Sequence, residues 1–110
     1  MQKKVIVITG SSDGIGAELA RQLARVYGSK LGLCLAARNQ TMLEQVAQQC
    51  REFGSDCLVV PTDVSNQEQC LQLINATVAH FSRIDVLINN AGKSAQALLS
   101  EVKDLSWYED

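Results

Sequence analysis

Eight consecutive residues, Thr9-Gly10-Ser11-Ser12-Asp13-Gly14-Ile15-Gly16, carry the most legible chemistry in this chain. Glycines at that spacing let the backbone come close to a ligand, because no Cβ stands in the way. An apolar run precedes them and a helical pattern follows. A helix starting there would aim its free N–H groups and its positive dipole end at the turn, an arrangement that suits a pyrophosphate. The competing reading is a plain strand-to-helix turn. The flanking context favours the phosphate cradle, since such glycine motifs depend on a strand before and a helix after. Gly10, Ser11, Ser12, Asp13, Gly14, Ile15 and Gly16 are therefore the first candidate binding residues.

Three other places carry groups suited to a nucleotide. A dinucleotide lacking a 2′-phosphate is usually held by Asp or Glu about 20 residues past the glycine motif. Here that neighbourhood reads Ala36-Ala37-Arg38-Asn39. A guanidinium can bind a 2′-phosphate in bidentate fashion, where a carboxylate would repel it. Arg38 thus favours NADP(H) over NAD(H), against the alternative of a solvated charge at a strand end. Asp13, inside the glycine turn, works in the opposite direction. Asp63-Val64 follows a third apolar run, where the carboxylate could accept from an adenine amino group or could serve only to start the next helix. Asn89 and Asn90 end a fourth run, where ligands gather in open α/β sheets, or where amides tie neighbouring strands together. Ala91 and Gly92 continue that segment, and Gly92 would let the chain pass close to a ligand.

The elements that must position these groups alternate. Val5–Ile8 is an unbroken β-branched run, as expected of a strand buried on both faces. Helical spacing runs from Ala17 to Tyr27. Leu31–Ala37 is a second strand, and Leu43, Val46, Ala47, Cys50 and Phe53 recur at helical spacing up to Gly54. Cys57–Pro61 is a third strand. Ser65 and Glu68 have capping-box spacing, and the helix they open would carry Leu71, Ile74, Val78 and Phe81 on its buried stripe. Ile84–Ile88 is a fourth strand. Short connections between such units imply right-handed crossovers and a parallel sheet.

Taken together, Thr-Gly-x-x-x-Gly-x-Gly, Asp63-Val64 and Asn89-Asn90-Ala91-Gly92 resemble the short-chain dehydrogenase/reductase family, in order and over the stretch from Lys4 to Gly92. The resemblance implies an α/β fold, a three-layer Rossmann-type parallel sheet with strand order 3-2-1-4, incomplete relative to the family. It also implies a dinucleotide cofactor, with Asp63 and Val64 at the adenine and Asn90, Ala91 and Gly92 beside the cofactor. Residues 1–110 would form a single, partial dinucleotide-binding domain. The full-length form would move a hydride between NADP(H) and a carbonyl or alcohol.

The family's Ser-Tyr-Lys catalytic set is not visible here. Its tyrosine and lysine stand four apart on one helix face, well beyond the Asn-Asn-Ala-Gly motif. Only Tyr27 and Tyr108 occur; Tyr27 and Lys30 are three apart at the end of the first helix, and two residues follow Tyr108. Ser94 is too near the motif, and His80 has no acid arranged beside it in the sequence. Ser106 to Glu109 has capping-box spacing again, so a helix is announced where the chain ends. The expectation is a chain that binds the cofactor but does not turn it over. The alternatives are a short nucleotide-binding or interaction module that pairs with a full-length relative, and a remnant that binds nothing.

Composition excludes more than it selects. A net charge of −2 gives no reason to expect nucleic acid or an anionic membrane as partner. No apolar run approaches the roughly 20 residues of a membrane span, and no secretory leader is apparent. Cys34, Cys50, Cys57 and Cys70 lack metal-ligand spacing and read as buried, reduced thiols, which fits a cytoplasmic protein. In a 3-2-1-4 sheet the fourth strand lies at an edge, so self-association through it is expected.

Overall fold

In the computed structural model, which describes residues 3–90, β1 (Lys4–Thr9) is the β-branched run extended by one residue at each end. Around it the chain builds α1 (Gly14–Tyr27), β2 (Leu31–Ala37), α2 (Gln40–Glu52), β3 (Asp56–Pro61), α3 (Gln67–Phe81) and β4 (Val86–Asn89). A short 3-10 turn, Gly28–Lys30, joins α1 to β2. The expectations placed on Ala91, Gly92, Ser94 and Tyr108 lie outside the described residues.

All strand pairs are parallel, in the order β3-β2-β1-β4. The central strands β1 and β2 are buried on both faces, which is why their sequences are apolar without alternation. Ile6, Ile8, Leu33 and Leu35 face α1 and α2, joined there by Ala20, Ala24, Leu43 and Val46. Val7, Cys34 and Ala36 face α3, where Cys70, Leu73 and Ile74 meet them. Leu33, Leu35 and Leu73 are wholly buried, each such side chain contributing about 1.5–3 kcal/mol. The sheet is thus the middle of three layers.

Four local expectations are corrected. The buried stripe of α3 is Cys70, Leu73, Ile74 and Thr77, while Leu71 is exposed. Helical spacing alone left the phase of the stripe open by one position. α3 is capped by Asn66, whose side chain accepts from the Gln69 N–H at 3.0 Å, not by Ser65. Ser65 instead donates through both Oγ and N to Asp63 Oδ1, at 2.6 and 3.0 Å. β4 begins at Val86 rather than Ile84: just before it the Asp85 backbone N–H donates to Val5 O at 2.9 Å, but the Val5 N–H goes to the Asp85 side chain, donating to Oδ2 at 2.7 Å. His80 does have an acid beside it, since Nε2 lies 3.2 Å from Asp56 Oδ1, a pairing between α3 and β3 that sequence separation concealed.

Candidate cofactor-binding site

The carboxyl ends of β1, β2 and β3 converge on one cleft of about 580 Å³. Its lining includes Gly10, Ser12, Asp13, Arg38, Asp63 and Val64, residues singled out from three separate stretches of sequence. That volume lies within the range of small-molecule sites.

The glycine turn is built by its backbone. Gly10 and Gly14 both have positive φ, at 65° and 58°. Around Gly14 no atom lies within 4 Å of where a Cβ would stand, so its requirement is conformational. At Gly16 the requirement is space: a Cβ would sit 2.3 Å from the Gly10 carbonyl oxygen and 2.8 Å from Asn90 Nδ2. The start of α1 therefore lies directly against the turn. Asp13 stands at the N-cap with extended backbone, yet its side chain makes no capping bond and the first turn holds no acidic residue. In contrast, Asn39 and Asn66 cap α2 and α3 with their side chains. α1 alone of these helices leaves the donors of its first turn without a side-chain acceptor, the condition for receiving an anion.

The other members divide by role. Ser11 is fully buried, and its Oγ donates to Ile8 O and accepts from Ala36 N–H, both at 3.0 Å. Its side chain ties the turn to β2 and does not line the cleft. Ile15 lies on the first turn of α1, 78% exposed and outside the cleft lining. Asn90 donates from Nδ2 to Gly10 O at 3.2 Å and from its backbone N to Thr9 Oγ1 at 3.0 Å. Thr9 Oγ1 in turn donates to Asn89 Oδ1 at 3.1 Å. The asparagines thus fix the β1–β4 junction beneath the turn.

Arg38 and Asp63 set the electrostatics. Arg38 is exposed at the end of β2 and makes no hydrogen bond or ion pair with any described residue. The Asp63 carboxyl is held below the usual carboxylate range by the bonds from Ser65 Oγ and N, with the Arg38 charge adding to them. Both bonds fall on Oδ1. Asn39, Met42 and Thr62 also line the cleft and were not anticipated. Position was their only signal: they follow β2 and β3 at the ends where ligands collect. Among the described residues no group of three or more His, Cys, Asp or Glu could hold a metal ion. No helix of the described residues is long and apolar enough to cross a membrane.

A sequence profile of the short chain dehydrogenases matches residues 4–109. The chain belongs to the short-chain dehydrogenase family. Among its relatives there, 11-beta-hydroxysteroid dehydrogenase A of Sesamum indicum is 44% identical over 110 residues, an alignment covering 97% of this chain and 30% of that protein. Among solved structures, L-sorbose reductase from Gluconobacter frateurii, complexed with NADPH and L-sorbose, superposes with a TM-score of 0.76 and 35% identity, over 84% of this chain and 34% of its own. An NAD+-bound xylitol dehydrogenase gives a TM-score of 0.76 at 30% identity, again over 84% of this chain and 34% of that one. The chain therefore spans about 30–34% of the length of these relatives. In short-chain dehydrogenase terms, the described residues are an NAD(P)-binding portion of an oxidoreductase fold.

Proposed function

We propose that this chain is the NADP(H)-binding portion of a short-chain dehydrogenase, with the adenosine end of the cofactor in the cleft between the ends of β1, β2 and β3. The observation that carries the reading is Arg38. It is a cation without a bonded partner among the described residues, in a cleft whose other charged lining residues are Asp13 and Asp63. A 2′-phosphate would supply the missing anion through charge-assisted bonds. The donors at the start of α1 would face the pyrophosphate, Asp63 would accept from the adenine amino group, and Asn90 would hold the turn in shape. Ala91 and Gly92, the rest of the Asn-Asn-Ala-Gly motif, are proposed as further cofactor contacts on the family resemblance.

The bound cofactor would supply the hydride for a carbonyl, or accept one from an alcohol, in the complete enzyme. This chain's residues would bind and orient it. The Ser-Tyr-Lys set that manages the proton is absent from the sequence, so the activity proposed for this chain is binding without turnover. A compound with a secondary alcohol or ketone, of the steroid kind named in the plant relatives, is the first substrate class to test in a full-length form. We place the chain in the cytoplasm, with no nucleic-acid or membrane partner, and with self-association or pairing with a full-length relative through β4.

Calorimetric titration of NADPH and NADH into the purified chain tests the reading. Saturable binding with NADPH the tighter ligand is the expected result. Equal affinity would remove the 2′-phosphate assignment, and no binding of either would leave the remnant reading.

A further inference from the structure

Between β3 and α3 the chain is gripped by the first turn of the helix it is about to enter. Asp63 N–H donates to Gln69 Oε1 at 2.7 Å, and Asp63 O accepts from Asn66 N–H at 2.9 Å. One residue on, Val64 O accepts from Cys70 Sγ at 3.4 Å. Ser65 then closes on the Asp63 side chain, its Oγ and N–H both donating to Oδ1, at 2.6 and 3.0 Å. Asp63 Oδ2 takes no bond from any described residue.

Stability does not require the Ser65 bonds. Ser65 is exposed, so water would satisfy its hydroxyl, and α3 takes its cap from Asn66 instead. What the bonds fix is the rotamer of a carboxylate at the surface, which would otherwise sample several. Asp63 and Ser65 both line the cleft that Arg38 shares. The same two bonds hold the Asp63 carboxyl below the usual carboxylate range, so at neutral pH it is ionised and can only accept. One of its oxygens is occupied, and one is left for a donor.

Resting on the cofactor reading proposed above, we propose that Ser65 and Gln69 are positioning residues that set Asp63 to select adenine over hypoxanthine dinucleotides. Gln69 fixes where the Asp63 backbone stands. Ser65 occupies Oδ1 and stops the carboxylate from turning. Oδ2 is then the acceptor for the amino group of the base. Adenine offers a hydrogen-bond donor at that place, whereas hypoxanthine offers a carbonyl oxygen, which an ionised carboxylate repels. Ser65 and Gln69 do not touch the base in this arrangement; both act through Asp63.

NADPH and its hypoxanthine analogue are titrated calorimetrically into the full chain and into Ser65→Ala, Ser65→Thr and Gln69→Leu. The unaltered chain should bind NADPH roughly tenfold or more tighter than the analogue, the worth of a hydrogen bond to a charged group. Ser65→Ala and Gln69→Leu should each shrink that ratio about two- to tenfold, because the loosened carboxylate must be ordered on binding. Ser65→Thr, which keeps the hydroxyl, should restore it. The urea midpoint of Ser65→Ala should match that of the unaltered chain, since the residue is exposed and the Asn66 cap remains. An unchanged ratio in both Ser65→Ala and Gln69→Leu would overturn the positioning roles and leave Asp63 at the adenine. Equal weakening of both nucleotides would overturn them too, by assigning the bonds to the shape of the loop alone. Equal affinity of the unaltered chain for the two nucleotides would take Asp63 away from the base and the proposal with it. Binding of neither would refute the cofactor reading itself.

Discussion

Asn90 Nδ2 donates to the Gly10 carbonyl oxygen at 3.2 Å, directly above the position a Gly16 side chain would occupy. The bond joins the end of β4 to the glycine turn and makes the third glycine of the motif a packing requirement. Gly16→Ala would place its methyl 2.3 Å from that carbonyl, so the turn must shift. Overpacking of this kind costs about 1–3 kcal/mol. Urea unfolding should show the loss in the midpoint, and NADPH affinity should fall with it. An unchanged midpoint would mean that α1 is free to move away from the turn.

Arg38 and Asp13 should act oppositely on cofactor choice. Arg38→Asp removes a charge-assisted bond of about 1.5–3 kcal/mol, a loss of roughly tenfold or more in NADPH affinity, with NADH little affected. Asp13→Asn keeps a residue suited to an N-cap and removes a carboxylate from the cleft lining, so NADPH binding should tighten while NADH stays put. Calorimetry on both variants with both nucleotides decides it. Parallel losses for the two cofactors would take Arg38 out of the phosphate site.

Asp85 should make stability depend on pH. Burial works against its ionisation, but the bond from Val5 N–H and the pairing with Arg83 more than offset this, so its pKa is lowered on folding. The unfolded chain therefore takes up the proton first. The stabilisation is complete above the ordinary aspartate value of about 3.9 and is lost as pH falls through the lower folded value. Asp85→Ala leaves the buried Val5 N–H without its acceptor and should cost about 1–3 kcal/mol at neutral pH. The gap between wild type and variant in urea midpoint should narrow in acid. A gap constant with pH would assign the effect to packing alone.

The purified chain should oxidise no NADPH with any panel of ketones. Holding a cofactor positions one reactant but provides no acid for the developing alkoxide. Ketone-dependent loss of absorbance at the reduced nicotinamide band, in a clean preparation, would refute this and require a proton donor elsewhere in the chain.

In the sheet of the described residues β4 lies at one edge, and association through it is expected. Val86 is 38% exposed, and Leu87 and Ile88 are only partly buried. Asp85, the one charge within the run Ile84–Asn89, is turned toward β1 by its bond to Val5 and offers the edge little protection. The chain should dimerise or aggregate at micromolar concentration, and Val86→Lys should reduce this. Light scattering across a dilution series is the measurement; a wild-type monomer at every concentration would show that the edge is protected.

Local rules were enough to read the strands, the glycine turn and a parallel sheet from the sequence; the strand order came with the family resemblance. β-Branched runs, glycine spacing and short β-α connections act between near neighbours, and each constrains the backbone strongly. The candidate cofactor residues among those described are legible for the same reason, since they follow the end of a strand or, for Gly14, Ile15 and Gly16, open the helix after it. What the sequence left open depends on groups far apart in the chain. Asp85 meets Val5, His80 meets Asp56, and Asn90 meets Gly10, each across dozens of residues. The choice of Asn66 over Ser65 as cap turned on Asp63 already holding the serine. The Ser11 hydroxyl, in the middle of the glycine turn, is taken up by Ile8 and by β2 at Ala36. Composition and periodicity determine which segments form the layers. Only the packed layers decide which polar side chains satisfy the backbone and which, like Arg38, remain unbonded in the cleft, because that depends on where every competing donor and acceptor comes to rest.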